Sequence, residues 1–142
     1  NYRLPRPVAK ITQDYVGVDV QEYKEKVYQN KETELPHLIH FDNEQKQIEA
    51  LLRLVKDNVG RNIGILLSNN PEVIRISQEF MDNDVEFDMV ILPMYNGAND
   101  DESRKALYVA MTRTMHSLFV LYSTQSLLPP LDRVPSHLYL KE

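Results

Sequence analysis

The chain has 142 residues, 42% of them hydrophobic and 26% charged, the size and balance of one globular domain with a core of its own. Sixteen basic residues stand against 21 acidic ones, a formal charge of −5, so any grip on nucleic acid has to be local rather than a bulk electrostatic effect. Cysteine is absent, which excludes disulfides, thiolate metal sites and thiol redox chemistry; no apolar run nears the roughly 18 residues that cross a bilayer, so a cytoplasmic protein with no membrane partner is expected.

Residues 7–16 read as a helix, residues 23–30 are too polar to assign, and residues 37–41 fit a strand. The strongest helix signal runs from Asn43 to Val59, with Ile48, Leu51, Leu52, Val55 and Val59 at helical spacing. Asp42 is its expected cap, with Gln45 three residues on, and Gly60 stands where a left-handed stop is wanted. Ile63-Gly64-Ile65-Leu66-Leu67 then reads as a short buried strand, and Ser68-Asn69-Asn70-Pro71 as a turn that caps the next helix. Met89-Val90-Ile91-Leu92 is a second buried strand, Asp100-Asp101-Glu102 a capped acidic helix entry, and residues 103–113 the helix. Leu118-Phe119-Val120-Leu121-Tyr122 is a third strand. After Gln125 the tail carries Pro129, Pro130 and Pro135, which predicts a loop over residues 125–142 ending in an edge strand at Leu138-Tyr139-Leu140. Continuous apolar strands alternating with helices give the α/β class: a mostly parallel sheet covered by helices on both faces, in three α/β/α layers.

Sheets of this class bind ligands at the carboxyl ends of their strands, which directs attention to the loops after Leu67, Leu92 and Tyr122. No G-x-x-x-x-G-K-[ST] or G-x-G-x-x-G sequence is present, so the chain has no phosphate-cradling loop of its own. His37, His40, His116 and His137 lack acidic partners at ligand spacing, and no metal site is expected. Asp100-Asp101-Glu102 has the composition of a magnesium site, but acidic residues at the positive end of a helix dipole account for it more simply. No nucleophile elbow offers a start for Ser-His-Asp catalysis.

The segment from Arg104 to Leu121 contains Leu107-Tyr108-Val109-Ala110-Met111-Thr112-Arg113-Thr114. It closely resembles the last helicase motif of the UvrD/Rep-like superfamily 1 helicases, which reads L-Y-V-A-x-T-R-A before a strand. An amphipathic helix ending at a chance Thr-Arg is the plainer alternative; the length of the match and its place between helix and strand favour kinship. Asn1-Tyr2-Arg3 resembles the N-Y-R at the entry to the family's second RecA-like domain. Residues 85–92 are similar to its K-G-L-E-F-D-x-V-I-L motif, with Asn83 and Asp84 where lysine and glycine are expected. The preceding threonine-histidine segment has no counterpart. Either it has been lost, or a loop between Met81 and Glu86 is omitted, and the clean resumption at Glu86 favours the loop. The chain opens on Asn1 and has its first methionine at Met81, so a C-terminal piece of a longer protein is expected, with residues 1–142 forming one domain.

What the resemblance implies is the second, C-terminal RecA-like motor domain of an ATP-dependent DNA helicase or translocase. In such motors ATP and Mg2+ lie between two RecA-like domains, and the N-terminal one of the same chain holds the phosphates and the metal. The second domain supplies arginines to the γ-phosphate, and Arg3 and Arg113 are the matches; the same resemblance puts Tyr2 against the adenine and Glu86 near the ribose. Arg3 also reads as a solvated terminal side chain and Arg113 as a complement to a helix dipole. Ser68 and Asn70 stand where the family's Arg-Ser/Thr-Asn contacts single-stranded DNA; Ser68 replaces the arginine, and helix capping is an equal reading of Asn70. Thr114-Met115-His116 is similar to the R-A-M-H of the HelD-like branch, some members of which act on RNA polymerase. Three functions follow: a DNA-translocating motor, an RNA-polymerase-associated ATPase that remodels a protein complex, and a degenerate RecA-like binding module. The presence of Arg3, Glu86 and Arg113 together argues against the last.

Overall fold

Strands β3 (Phe87–Leu92) and β4 (Thr114–Tyr122) carry the most apolar runs of the chain and lie side by side within one sheet. A strand covered on both faces has no polar side to show to water, and Val90, Ile91, Leu92, Leu118, Val120 and Leu121 are all buried. The computed structural model describes residues 6–16, 34–67, 79, 83 and 85–142. Among these, β1 (His37–His40), β2 (Ile63–Ile65) and β5 (Leu140–Lys141) complete a five-stranded sheet in the order β2-β3-β4-β1-β5. Every pairing is parallel. The α/β class and the parallel sheet expected from the sequence are therefore present.

The two faces have separate cores. On one, helix α1 (Arg6–Ile11), continued by a π-helical turn at Thr12–Val16, and helix α3 (Asp101–Thr112) bury Val8, Ile11, Leu107 and Met111. These pack with Val90, Leu92, Leu118 and Val120, and the tail adds Leu131 and Val134. On the other, helix α2 (Glu44–Asp57) sets Leu51, Leu54 and Val55 against Met89, Ile91 and Leu121. This is the helix-sheet-helix layering that parallel crossovers require.

Three local expectations need adjustment. The cap of α2 is Asn43, whose side chain accepts from the Lys46 amide at 2.9 Å; Asp42 instead pairs with the Lys46 ammonium at 3.3 Å on the exposed surface. The buried stripe of α2 is 47-51-54-55, so Ile48, Leu52 and Val59 face water, Leu52 with 64% of its surface exposed. The reason is Gln47, a buried side chain whose two hydrogen bonds fix the rotation of the helix (below). Ile63–Ile65, expected to be buried, is an edge strand among the described residues, with Ile65 and Leu67 exposed.

Gly60, at φ +96°, turns the chain out of α2 as its position suggested. The tail is held down by Tyr95, whose buried hydroxyl is shared between the carbonyls of Leu128 at 2.9 Å and Pro129 at 2.8 Å; burial pushes its pKa far above the ordinary phenol value. The tail ends in β5, two residues placed at the end of the segment expected to form a strand. There His37 stacks on Phe119 and its Nδ1 meets the Glu142 carboxylate at 2.6 Å. No helix among the described residues is long and apolar enough to cross a membrane.

Gly64 of β2 lies under the Phe87 ring, and a β-carbon there would stand 2.7 to 2.9 Å from three ring atoms. Gly64→Ala should destabilise the fold by about 1 to 3 kcal/mol, the usual effect of overpacking, read as a lower urea midpoint at unchanged slope. An unchanged midpoint would mean that the ring moves aside freely.

Candidate functional site

Helix α3 and β4 are joined without a loop, and the junction residue is Arg113. The helix starts at Asp100, whose carboxylate accepts from the Ser103 amide at 2.7 Å, while Asp101 pairs with Arg104 in the first turn. It ends at Thr112 when the Arg113 amide bonds back to Ala110 at 3.2 Å, and β4 begins at the next residue, Thr114. Arg113 is wholly buried, with no surface exposed.

Its surroundings are the entry to β3. Arg113 Nη1 donates to the Val85 carbonyl at 3.2 Å, and the Arg113 carbonyl accepts from the Phe87 amide at 2.8 Å. The residues on either side of Glu86 are thus both bonded to Arg113, and Glu86 itself is half-buried between them. Next to this junction the ladder between β3 and β4 slips: Phe87 pairs with Thr114, but Met89 pairs with Ser117, so β4 carries one extra residue. Such a bulge kinks the strand and redirects side chains. Thr114 Oγ1, next to Arg113, is buried with no hydrogen-bond partner among the described residues.

The structure therefore brings two of the expected site residues together, Glu86 and Arg113, at the amino edge of the sheet, where β3 and β4 begin. Tyr2, Arg3, Ser68 and Asn70 lie outside the described residues. Asn62 and Asp88 are additional members of this edge. Asp88 stood inside the matched motif without an assigned role, and nothing in the spacing of Asn62 marked it out.

The opposite, carboxyl edge is where fold logic alone pointed. There the buried Gln47 of α2 donates through Nε2 to Ser123 Oγ at 2.6 Å and accepts through Oε1 from the Met94 amide at 2.9 Å. Met94 is held at φ 57°, a left-handed conformation uncommon for a residue with a side chain. Gln47, Met94, Tyr95, Asn96 and Ser123 line a cavity of about 270 Å³. A second cavity, of about 490 Å³, lies beyond β4 and β1 and is lined by His40, Tyr122, Leu127, Asp132, Tyr139 and Lys141. Burial raises the pKa of the Tyr122 phenol there, and His40 Nε2 lies 3.1 Å from the Thr124 carbonyl, a bond that requires the proton on that nitrogen.

Residues 85–121, the stretch that contains Glu86 and Arg113, match the sequence profile of the UvrD-like helicase C-terminal domain. The match covers about a quarter of the chain. Among solved structures, its fold is similar to the C-terminal domain of a possible DNA helicase from Lactobacillus plantarum WCFS1. The TM-score is 0.68 at 18% sequence identity, over 99% of this chain and 98% of that one. At that identity the likeness is one of fold. A search of curated proteins finds no match.

Because Asp100 caps the helix that ends in Arg113, its charge state bears on the whole element. Its pKa is held below the ordinary carboxylate value, first by the Ser103 amide and then by the Ser103 hydroxyl. A lowered folded-state pKa stabilises the fold above the unfolded carboxylate pKa, and that contribution is lost as pH falls through the folded value. Asp100→Ala should lower the melting temperature at pH values where the carboxylate is ionised, and the gap to the parent protein should narrow once the pH drops below the ordinary carboxylate range. A gap that stays constant with pH would rule out the charge as the cause.

Proposed function

We propose that this domain is the second RecA-like motor domain of an ATP-dependent DNA helicase or translocase, and that Arg113 is one of the arginines it brings to the γ-phosphate. The observation that carries the reading is a fully buried arginine at a loopless helix-strand junction, bonded to both neighbours of Glu86, inside the stretch that matches the family profile. Taking a cation out of water is costly, and apolar residues often fill such a place as well. An unpartnered buried hydroxyl at Thr114 stands on the same edge. A polar edge of this kind fits an anionic ligand better than it fits a purely structural role.

The ligand would be ATP with Mg2+, held chiefly by an N-terminal RecA-like domain of the same chain and supplying the phosphoanhydride that is cleaved. Here the guanidinium stabilises charge developing on the γ-phosphoryl group, a role worth roughly 10³ to 10⁵ in rate in systems of this kind. Glu86 would accept from the ribose, and the same resemblance assigns Tyr2 to the adenine and Arg3 to the phosphate beside Arg113. Arg113 is stowed beneath Val85, so reaching a phosphate requires the guanidinium to leave the Val85 carbonyl as the two motor domains close, a conformational step coupled to nucleotide binding. Single-stranded DNA would be contacted by the loop that holds Ser68 and Asn70. A cytoplasmic setting suits the absence of cysteine. No feature of the fold favours a role on RNA polymerase.

In the full-length protein, Arg113→Ala should lower DNA-stimulated ATP turnover on the order of 10²-fold or more while ATP still binds, measured as kcat against nucleotide affinity. Unchanged turnover would leave the domain as a binding module. Purified residues 1–142 should hydrolyse ATP negligibly, since the sequence has no phosphate loop. Turnover by that fragment at the rate of the full-length protein would overturn the reading.

A further inference from the structure

Asn62 lies at the amino edge, one residue before β2, and reaches across to the segment that carries Glu86. Its side-chain Nδ2 donates to the Glu86 carbonyl at 3.1 Å, and its backbone amide donates to the Asp88 carboxylate at 3.0 Å. Its own carbonyl accepts from the Met89 amide at 3.1 Å. Arg113 holds the same segment from the other side, through Val85 and Phe87. Residues 85–88 are thus gripped in alternation, Val85 and Phe87 by Arg113, Glu86 and Asp88 by Asn62.

For Val85, Glu86 and Phe87 the alternation follows from strand geometry, in which successive peptide groups point to opposite neighbours, while Asp88 is held through its side-chain carboxylate. On the Arg113 side the neighbour is the start of β4. On the other side β2 begins only at Ile63, so its ladder stops short of Glu86, and the Asn62 side-chain amide supplies the bond that another strand residue would have made.

We propose that Asn62 is a positioning residue for the Glu86 and Arg113 site: by fixing the Glu86 peptide it sets both the Val85 carbonyl that stows the guanidinium and the direction of the Glu86 carboxylate. The proposal rests on the reading of Arg113 as a nucleotide-contacting arginine. Asn62 itself touches no reacting atom. Its side chain is exposed, so its removal opens no buried cavity, and its two backbone bonds survive replacement by alanine or aspartate. Aspartate in its place keeps the shape, loses the donor and sets a second carboxylate against Asp88.

The test uses the full-length protein and four variants: Asn62→Ala, Asn62→Asp, Arg113→Ala and the Asn62→Ala/Arg113→Ala double. Both Asn62 variants should melt near the parent temperature, keep the KM for ATP within about threefold and lose about tenfold or more in kcat, as expected when a reacting group is misplaced rather than removed. In the double variant, Asn62→Ala should lower kcat no further than Arg113→Ala does, because both act through the same guanidinium. If the Asn62 variants keep their kcat within about twofold while Arg113→Ala loses its own, the positioning role is overturned and the nucleotide reading stands. If Arg113→Ala keeps its kcat, the nucleotide reading falls first and this proposal with it. Additive losses in the double variant, or failure of Asn62→Asp to fold, would make Asn62 a residue of the fold rather than of the site.

Discussion

Arg113 places a cation where water does not reach it, and the amino half of the sheet is organised around that placement. Its side chain bonds to Val85 and its carbonyl to Phe87, so the residue that ends α3 also fixes how β3 enters the sheet. A loop between helix and strand would let the arginine swing out to solvent. The direct passage from Thr112 through Arg113 to Thr114 prevents that, and the bulge in β4 takes up the resulting misfit in register. A buried charge of this kind tends to be weak evidence for stability, because apolar replacements often do as well.

The two edges of the sheet are built on different physics. At the amino edge a buried cation, Arg113, holds residues 85–88 on one side and the exposed Asn62 holds them on the other. At the carboxyl edge a neutral amide, Gln47, ties a helix to the loops after β3 and β4 and holds Met94 in a left-handed backbone conformation. The amide satisfies a donor and an acceptor at once without any charge to desolvate, which suits a joint between packed elements.

The alternating grip on residues 85–88 also links the two proposals about the amino edge. If Arg113 has to leave the Val85 carbonyl to meet a phosphate, the segment it leaves must stay in place or move as a unit, and the Asn62 bonds decide which. Rigid support on one side lets a release on the other be a defined motion instead of a local unfolding.

The sequence by itself determined the α/β class, the parallel sheet and most elements to within a few residues, because apolar runs and turn residues report local free energies. It also put Glu86 in the motif at residues 85–92 and Arg113 in the motif running from Arg104 to Leu121. Only the tertiary structure decided the rest. Periodicity placed Ile48 and Leu52 with Leu51 and Val55 on the buried face of α2, whereas Gln47, bonded to partners 47 and 76 residues away, takes a buried place there and leaves Ile48 and Leu52 in water. General fold logic pointed to the carboxyl edge, while the motif residues came together at the amino edge. Asn62 carries no sequence signal because its role is a hydrogen bond to a backbone carbonyl 24 residues on, and a carbonyl is the same in every residue. Long-range polar bonds of this kind depend on which strand ends meet, and that is settled only when the chain has folded.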